Sequence, residues 1–360
     1  MAEPLLSSYL HSKAAAGGFP VAGNFELTPR CNFNCRMCYV HLSREEQQRR
    51  GRELSAEQWL RLGQEASRCG LVFLLLTGGE PCLRPDFVEI LRGLKAMGLL
   101  ISVNSNGSLL EGRLLEQLLR DPPHRFNITL YGTSNETYEA LCGVRAYDGV
   151  LENIRALRAA GVDVKLNLTL APENLKDRER VAETARALGA HLQTAAYLFP
   201  PVRVTGSTDF PQRLPPEQAG RLEAGQLLQS LSPAALEGLR TSLRLPRTQT
   251  EACRFCRSGR SSFWLSWDGK LLPCGMLPYP AAEPLELGFA EAWRRVREGV
   301  RGLSYPPACR ACDYRELCHI CLAKCYCETL GFETPPPYAC RMTRAMLGEL
   351  GVPGGPEVPT

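Results

Sequence analysis

From about residue 23 to residue 203 the chain alternates short apolar runs with longer stretches carrying apolar residues at helical spacing. The short runs, at 24–28, 72–77, 99–104, 126–131, 164–170 and 192–199, are rich in Val, Ile, Leu, Phe and Thr, a composition that predicts strands. Several are nearly continuous in apolar residues, which predicts a parallel sheet covered on both faces. Between them, Ser55-Ala56-Glu57-Gln58 reads as a capping box, with Trp59, Leu62, Ala66 and Cys69 on one helical face behind it. Further helices are predicted over 85–97, 109–120, 134–141, 149–160 and 175–188, several closed by glycine. Six strand–helix alternations imply an α/β fold, a partial (βα)6 TIM-like barrel with right-handed crossovers. In such a sheet the functional loops lie at the carboxyl ends of the strands.

The rest of the chain follows another pattern. Residues 1–22 form an N-terminal extension and 23–203 the barrel. A Pro-rich bridge and two helix-like stretches, 216–231 and 232–243, fill 204–250. A cysteine-rich domain follows over 251–345, and 346–360 is a Pro/Gly-rich tail. The 42 basic and 38 acidic residues leave a net charge of +4, which makes no case for nucleic acid or an anionic membrane as partner. No run of eighteen apolar residues is present, and the first eighteen residues lack a signal peptide's basic start and apolar centre. A cytoplasmic enzyme with no membrane partner is the expectation.

Sixteen cysteines in such a chain point to metal ligation, because disulfides are disfavoured in a reducing compartment. They fall in two groups, six before residue 150 and ten from Cys253 to Cys340. Cys31, Cys35 and Cys38 sit on one loop directly after the first strand, three thiolates with no fourth nearby. A 4Fe–4S cluster held by three cysteines keeps one iron open, whereas structural zinc wants four protein ligands. Gly78-Gly79-Glu80-Pro81 follows the second strand; its glycines admit close backbone approach and its carboxylate can hold an ammonium. Asn104-Ser105-Asn106-Gly107 ends the third strand, and Thr129 and Asn167 lie on the fourth and fifth. A polar residue at a strand end serves equally well as a turn former.

The cysteine loop and Gly-Gly-Glu-Pro run, in this order and at these strand ends, resemble the signature of the radical S-adenosylmethionine (SAM) enzymes over residues 23–203. The resemblance implies a 4Fe–4S cluster on Cys31, Cys35 and Cys38, with SAM at the fourth iron position. It places Gly78, Gly79 and Glu80 at the methionine end of SAM, Ser105, Thr129 and Asn167 as polar contacts, and Met37 where backbone approaches the adenine. It implies reductive cleavage of SAM to a 5′-deoxyadenosyl radical that removes hydrogen from a substrate. The general acid or base stays unassigned.

The second group, from Cys253-x2-Cys256 through Gly269, Cys274 and Cys309-x2-Cys312-x5-Cys318-x2-Cys321 to Cys340, resembles the SPASM domain, the auxiliary-cluster module of many radical SAM enzymes. The resemblance implies two further 4Fe–4S clusters, one on Cys253, Cys256, Cys274 and Cys321, the other on Cys309, Cys312, Cys318 and Cys340. The gap from Cys318 to Cys321 is one residue shorter than is common in the family, so Cys325 stands as the alternative to Cys321, with Cys327 left over. Three C-x-x-C pairs are also ordinary zinc spacing. Trp264 and Trp267 read as hairpin core, Cys69, Cys82 and Cys142 as buried small hydrophobes, and His41 as a surface residue. Tyr131 and Tyr197 read as core aromatics, and Arg203 as a surface cation.

SPASM relatives mostly modify ribosomally made peptides, so the expected substrate is a peptide, altered by crosslinking, epimerisation or other side-chain or backbone modification. The alternatives are a small-molecule oxidoreductase or decarboxylase of cofactor biosynthesis and, more remotely, a non-catalytic zinc-binding protein. Gly275, Met276 and Leu277 stand where sulfatase maturases carry an acidic residue, which argues against formylglycine formation. The implied partners are a reductant such as flavodoxin or ferredoxin, and a leader-binding protein, since few residues precede the first strand.

Overall fold

The computed structural model describes residues 6–244, 256–356 and 358. Strands β1 (Ala22–Glu26), β2 (Phe73–Thr77), β3 (Leu100–Ser105), β4 (Arg125–Thr129), β5 (Val164–Thr169) and β6 (His191–Ala195) fall on the six predicted runs. With β7 (Ser262–Leu265) and β8 (Leu271–Leu272) they form one open sheet of order β6-β5-β4-β3-β2-β1-β7-β8. The pairs from β1 to β5 are parallel and each strand neighbours the next in sequence. This is the α/β architecture of a partial βα barrel.

The helices that accompany these strands along the chain are α1 (Leu6–Gly17), α2 (Arg44–Arg50), α3 (Ala56–Arg68), α4 (Phe87–Ala96), α5 (Gly112–Arg120), α6 (Asn135–Cys142), α7 (Tyr147–Ala159) and α8 (Arg178–Ala187). The predicted capping box opens α3, with Ser55 and Gln58 exchanging bonds with each other's backbone. Phe25 of β1 stacks on Trp59 of α3 with ring centroids 5.1 Å apart, and Phe263 of β7 meets Phe289 at 5.0 Å. Burying such rings is the main stabilising term here, on the order of 2–3 kcal/mol per large side chain. Gly23 has no substitute beside them, since a Cβ there would stand 2.4 Å from the Phe263 ring.

The sheet is not covered on both faces. In β3, β4 and β5 buried Ile101, Val103, Phe126, Ile128, Val164, Leu166 and Leu168 alternate with half-buried Ser102, Asn104, Arg125, Asn127, Thr129, Lys165 and Asn167. The period of two puts the apolar residues on one face and the polar ones on the other. The register then sets Asn104 opposite Asn127, with 2.9 Å between the amides, and Thr129 opposite Asn167. Polar residues alternate in this way in β3, β4 and β5, whereas β2 is apolar from Phe73 to Leu76.

The described residues divide into two compact units. The first holds those up to Leu168, with Glu173–Thr194 and Arg257–Arg301; the second holds Thr169–Pro172, Ala195–Cys256 and Gly302 onward. The stretch expected as hairpin core thus lies in the first unit: β7 runs parallel to β1 and antiparallel to β8, with Trp264 and Trp267 buried. Cys82 and Cys142 are buried as expected, but Cys69 is only half-buried, because it is the C-cap of α3. In the second unit the helices Pro216–Ser230 and Pro337–Glu349 meet closely at Gly220, where a Cβ would lie 2.3 Å from the Met342 carbonyl oxygen.

Candidate active site

Three strand ends of the first unit converge through backbone. Beyond β1 the Thr28 and Arg30 carbonyls accept the N–H groups of Gly79 and Glu80, both at 2.8 Å, so the loops after β1 and β2 run on as a pair. No side chain fits there. A Cβ on Gly79 would stand 2.2 Å from the Arg30 oxygen, and one on Gly78, whose φ is +153°, 2.4 Å from the Thr28 oxygen. Glycine at both positions follows from this contact alone. Both remain half-exposed, leaving backbone within reach of a ligand.

Glu80 is fully buried, and its carboxylate is spent on protein donors: Cys82 N–H at 3.0 Å, Asn106 N–H at 2.7 Å and the Ser105 hydroxyl at 3.0 and 3.1 Å. Burial pushes its pKa up, and the donors pull it back. Glu80 and Ser105 therefore tie the β2 and β3 loops together. Behind them Glu53 accepts from Thr28 at 2.6 Å and Arg30 at 2.8 Å, and pairs with buried Arg84 at 3.3 Å. Arg84 also donates to the Leu27 and Leu54 carbonyls, both at 3.0 Å.

The cysteine loop docks on the end of α6. The N–H groups of Asn34 and Arg36 bond the Cys142 and Leu141 carbonyls at 2.9 and 3.0 Å, satisfying the free carbonyls of a helix C-terminus. Phe33 meets Tyr138 edge-on, with 6.4 Å between centroids. Two thiols of the loop have donors around them. Cys31 Sγ accepts from Phe33 N–H at 3.4 Å and lies 3.8 Å from Asn106 Nδ2, while Cys38 Sγ accepts from His41 N–H at 3.2 Å. Cys35 has Cys142 and Tyr131 in its electrostatic surroundings. Burial pushes Cys31 up to about 12, with a smaller contribution from Glu80 and the other two cysteines. The influence of Cys142, then burial, raises Cys35, and burial raises Cys38. Without a cation these are neutral thiols; a bound metal group would draw off their protons.

This donor set fits an iron–sulfur group with one open position: three thiols on one loop, close enough to perturb one another, with backbone N–H groups aimed at sulfur. Met37 is buried between Cys35 and Cys38 in sequence. Thr129 and Asn167 stand side by side on the polar face of the sheet, both half-exposed.

In the second unit, Cys309, Cys312, Cys318 and Cys340 line one cavity with Arg315 and Thr343. Burial pushes Cys309 and Cys340 up to about 12, the neighbouring thiols adding to it. Among the described residues no three His, Cys, Asp or Glu side chains converge tightly enough for one metal ion. Four thiols around a cavity suit a larger group. Cys325 is fully enclosed against Cys309 and Ile320, and is influenced by Cys309, Cys321 and Cys318 in that order. Cys321 caps the helix Leu322–Thr329, its sulfur accepting Lys324 N–H at 3.4 Å. Cys256 and Cys321 belong to the second unit and Cys274 to the first, while Cys253 lies outside the described residues. Gly275, after Cys274, lies against Trp264, where a Cβ would stand 2.9 Å from the indole.

Sequence reasoning missed several contributors. Asn106 reaches the Cys31 sulfur, Tyr131 and Cys142 perturb Cys35, and Glu53 and Arg84 brace the loop. Glu26 is buried at the end of β1 and accepts the Trp264 indole N–H at 2.6 Å. Glu173 pairs with Arg36 at 3.4 Å. Tyr197, expected as core, donates to Glu328 at 2.7 Å, and Glu328 in turn pairs with Arg213 at 2.6 Å.

The family model of the radical SAM superfamily matches residues 25–185. Over 290 residues the chain is 32% identical to a probable GTP 3′,8-cyclase of Aeropyrum pernix, spanning 75% of this chain and 79% of that protein. It is 28% identical over 338 residues to the AdoMet-dependent heme synthase of Methanosarcina barkeri, covering 87% of this chain and 94% of the other. It is 27% identical over 305 residues to the PqqA peptide cyclase of Granulibacter bethesdensis, covering 81% and 79%. The fold is shared with Streptococcus suis SuiB bound to precursor peptide SuiA (TM-score 0.70, 15% identity, 93% of this chain and 80% of that one). It is shared also with anSMEcpe bound to AdoMet and the Cp18Cys peptide (TM-score 0.65, 14% identity, 92% and 96%). An open α/β sheet with three cysteines and a Gly-Gly-Glu-Pro loop at its strand ends defines an enzyme that uses SAM and a 4Fe–4S cluster. The chain belongs to the radical SAM superfamily. Its cysteine-rich C-terminal part is consistent with the SPASM type.

Proposed function

We propose that this enzyme abstracts a hydrogen atom from a peptide and thereby initiates a crosslink, epimerisation or related modification. The observation that carries the reading is the polar face of the sheet. Asn104 and Asn127 there keep one amide donor and one acceptor beyond the bond that joins them, as a peptide backbone requires. The similarity to PqqA peptide cyclase and the fold shared with peptide-bound SuiB support it.

Cys31, Cys35 and Cys38 hold the cluster, which when bound supplies the electron that cleaves SAM. The half-exposed backbone of Gly78 and Gly79 receives the methionine end, and Met37 backbone the adenine. Thr129 and Asn167 supply hydroxyl and amide contacts from β4 and β5. Glu80 and Ser105 act through the loops they join, since their polar atoms already have partners. Cys309, Cys312, Cys318 and Cys340 hold one auxiliary cluster. The resemblance to the SPASM pattern implies a second cluster on remaining cysteines of the late group, with Cys325 the alternative to Cys321 among them. A flavodoxin or ferredoxin serves as reductant, and a separate protein presents the peptide leader.

A second reading is favoured by the match to heme synthase over 94% of that protein's length. On it the substrate is a carboxylate-bearing porphyrin, for which Lys165 supplies a cation on the same polar face, where Arg125 is paired with Asp163 at 2.6 Å. The reconstituted enzyme, with SAM and dithionite, is offered a synthetic peptide encoded beside its gene or a propionate-bearing iron porphyrin. The peptide reading predicts added 5′-deoxyadenosine and, with the reaction run in D2O, a peptide changed either in mass or in the chirality of one residue. A mass change in the porphyrin with the peptide untouched contradicts it.

A further inference from the structure

We propose that the exposed arginines of α2 and of the turn behind it, Arg44, Arg49 and Arg52, form the docking surface for an acidic one-electron carrier protein that reduces the cluster on Cys31, Cys35 and Cys38. The inference rests on the reading that a flavodoxin or ferredoxin is the reductant, and it adds where on this chain such a protein binds. An electron crosses protein only over short distances, so its donor has to settle beside the cysteine loop. Complementary charge brings two such proteins together quickly and in one orientation.

The chain builds this surface at the base of the cysteine loop. Beyond Cys38, the His41 N–H bonds the Cys38 sulfur at 3.2 Å and the Leu42 N–H bonds the Pro29 carbonyl at 3.1 Å. Ser43 then caps α2. Past the other end of the helix, Glu53 accepts from the Thr28 hydroxyl at 2.6 Å and from Arg30 Nε at 2.8 Å, and it also accepts from Gln47 of α2 at 3.1 Å. The segment 43–52 is therefore pinned on both sides to residues 28–30, which lead directly into Cys31. Ser43 is five residues beyond Cys38, a span of about 18 Å even at full extension. Helix α2 buries none of its residues, so it adds nothing to the apolar core.

Residues 44–52 carry four arginines, all exposed, against Glu45 and Glu46. The Glu46 carboxylate is turned back onto the Ser43 N–H at 2.9 Å. Arg49 Nε holds the Glu45 carbonyl oxygen at 3.3 Å, a bond to backbone that leaves its charge uncancelled. Elsewhere in the first unit exposed arginines are matched in place: Arg294 and Arg295 by Glu291 and Glu298, and Arg145 by Glu136 and Glu139. Exposed arginines ordinarily do no more than keep a surface wet. Their excess over acid on a helix pinned to the approach to Cys31 gives these a partner.

The test measures binding and electron transfer with the reconstituted full chain. Flavodoxin and ferredoxin, reduced beforehand, are the probes, and deazariboflavin with light is a small reductant that needs no docking. Binding is followed by calorimetry and reduction by freeze-quench EPR of the cluster signal that changes when SAM is added. At low ionic strength Arg44→Glu/Arg49→Glu and Arg52→Glu should weaken binding of the active carrier and slow its electron transfer, by about tenfold in the double variant. Photoreduction by deazariboflavin should keep its rate, and added salt should slow the wild type toward the variants. Arg294→Glu, which reverses a charge on another helix, should bind and react as the wild type does. Wild-type binding and rates in the iron-loaded α2 variants overturn the proposal, as does an equal loss in Arg294→Glu, which would trace the effect to net charge alone. If the double variant fails to load iron, Arg52→Glu decides. A wild type that deazariboflavin reduces and neither carrier does overturns the reductant reading and this proposal with it. Carrier-driven reduction that the α2 variants leave untouched overturns this proposal alone.

Discussion

A carboxylate with no solvent exposure and three protein donors, Glu80, is the hinge on which the site's geometry turns. Glu80→Ala leaves the Cys82 and Asn106 N–H groups and the Ser105 hydroxyl without an acceptor, at about 1–3 kcal/mol for each buried group. Urea denaturation of the iron-free chain should show a loss of about 3 kcal/mol or more, and a change under 1 kcal/mol would contradict the role given to this residue. Gly79→Ala should act more locally, because its new Cβ would meet the Arg30 carbonyl next to Cys31. The expected result is iron lost from the Cys31 site while iron held by the C-terminal cysteines stays. Retention of a SAM-responsive cluster at wild-type level would oppose it. At this scale the ligands were legible and their partners were not. Cys31, Cys35 and Cys38 lie within eight residues, and spacing alone exposes them. Asn106 lies 75 residues from Cys31 in the chain, and only the β1–β2–β3 pairing brings it there.

Among the elements, the strands were the most legible. All six predicted runs became strands, with ends displaced by at most four residues, because β-branched and aromatic clusters bounded by turn residues have few other uses. The covering of the sheet was misjudged, since alternation is hard to see when the buried half of each strand is Leu, Ile and Val. Several helices escaped notice, Phe289–Arg301 and Pro337–Glu349 among them, as did α1 and α2. Helix α2 carries a full capping box from Ser43 to Glu46 that was there to be read. Helix α1 buries only His11 and Ala14, too few to mark a face. His11 ties α1 to the sheet through its Nδ1, 2.9 Å from the Ser261 hydroxyl. Burial, and then the charge of Arg257, lowers its pKa from 6.5 to about 4. A histidine depressed in the fold contributes stability that is present above pH 6.5 and lost as pH falls toward 4. Thermal denaturation should therefore show stability falling from pH 7 to pH 5, and His11→Gln should flatten that slope. An equal slope in the variant would remove His11 from the explanation. In the second unit Gly220→Val should cost about 1–3 kcal/mol by forcing apart the helices that meet at Met342.

For the whole molecule, the division of cysteines into an early trio and a late group of ten was visible in their spacing. Their distribution between compact units was not. Residues 257–301 return to the first unit and carry Cys274 with them, because β7 extends the sheet beside β1 rather than building a separate module. Such a return is set by pairing across more than 200 residues, beyond any local pattern. Among the described residues no helix is long and apolar enough to cross a membrane. The central claim is that Cys31, Cys35 and Cys38 hold the group that cleaves SAM, and anaerobic assay for 5′-deoxyadenosine tests it most directly. With SAM and dithionite the reconstituted chain should form 5′-deoxyadenosine. Cys35→Ala should form none while keeping the iron bound by its C-terminal cysteines. Equal product from the variant, or none from a fully iron-loaded wild type, would contradict the account.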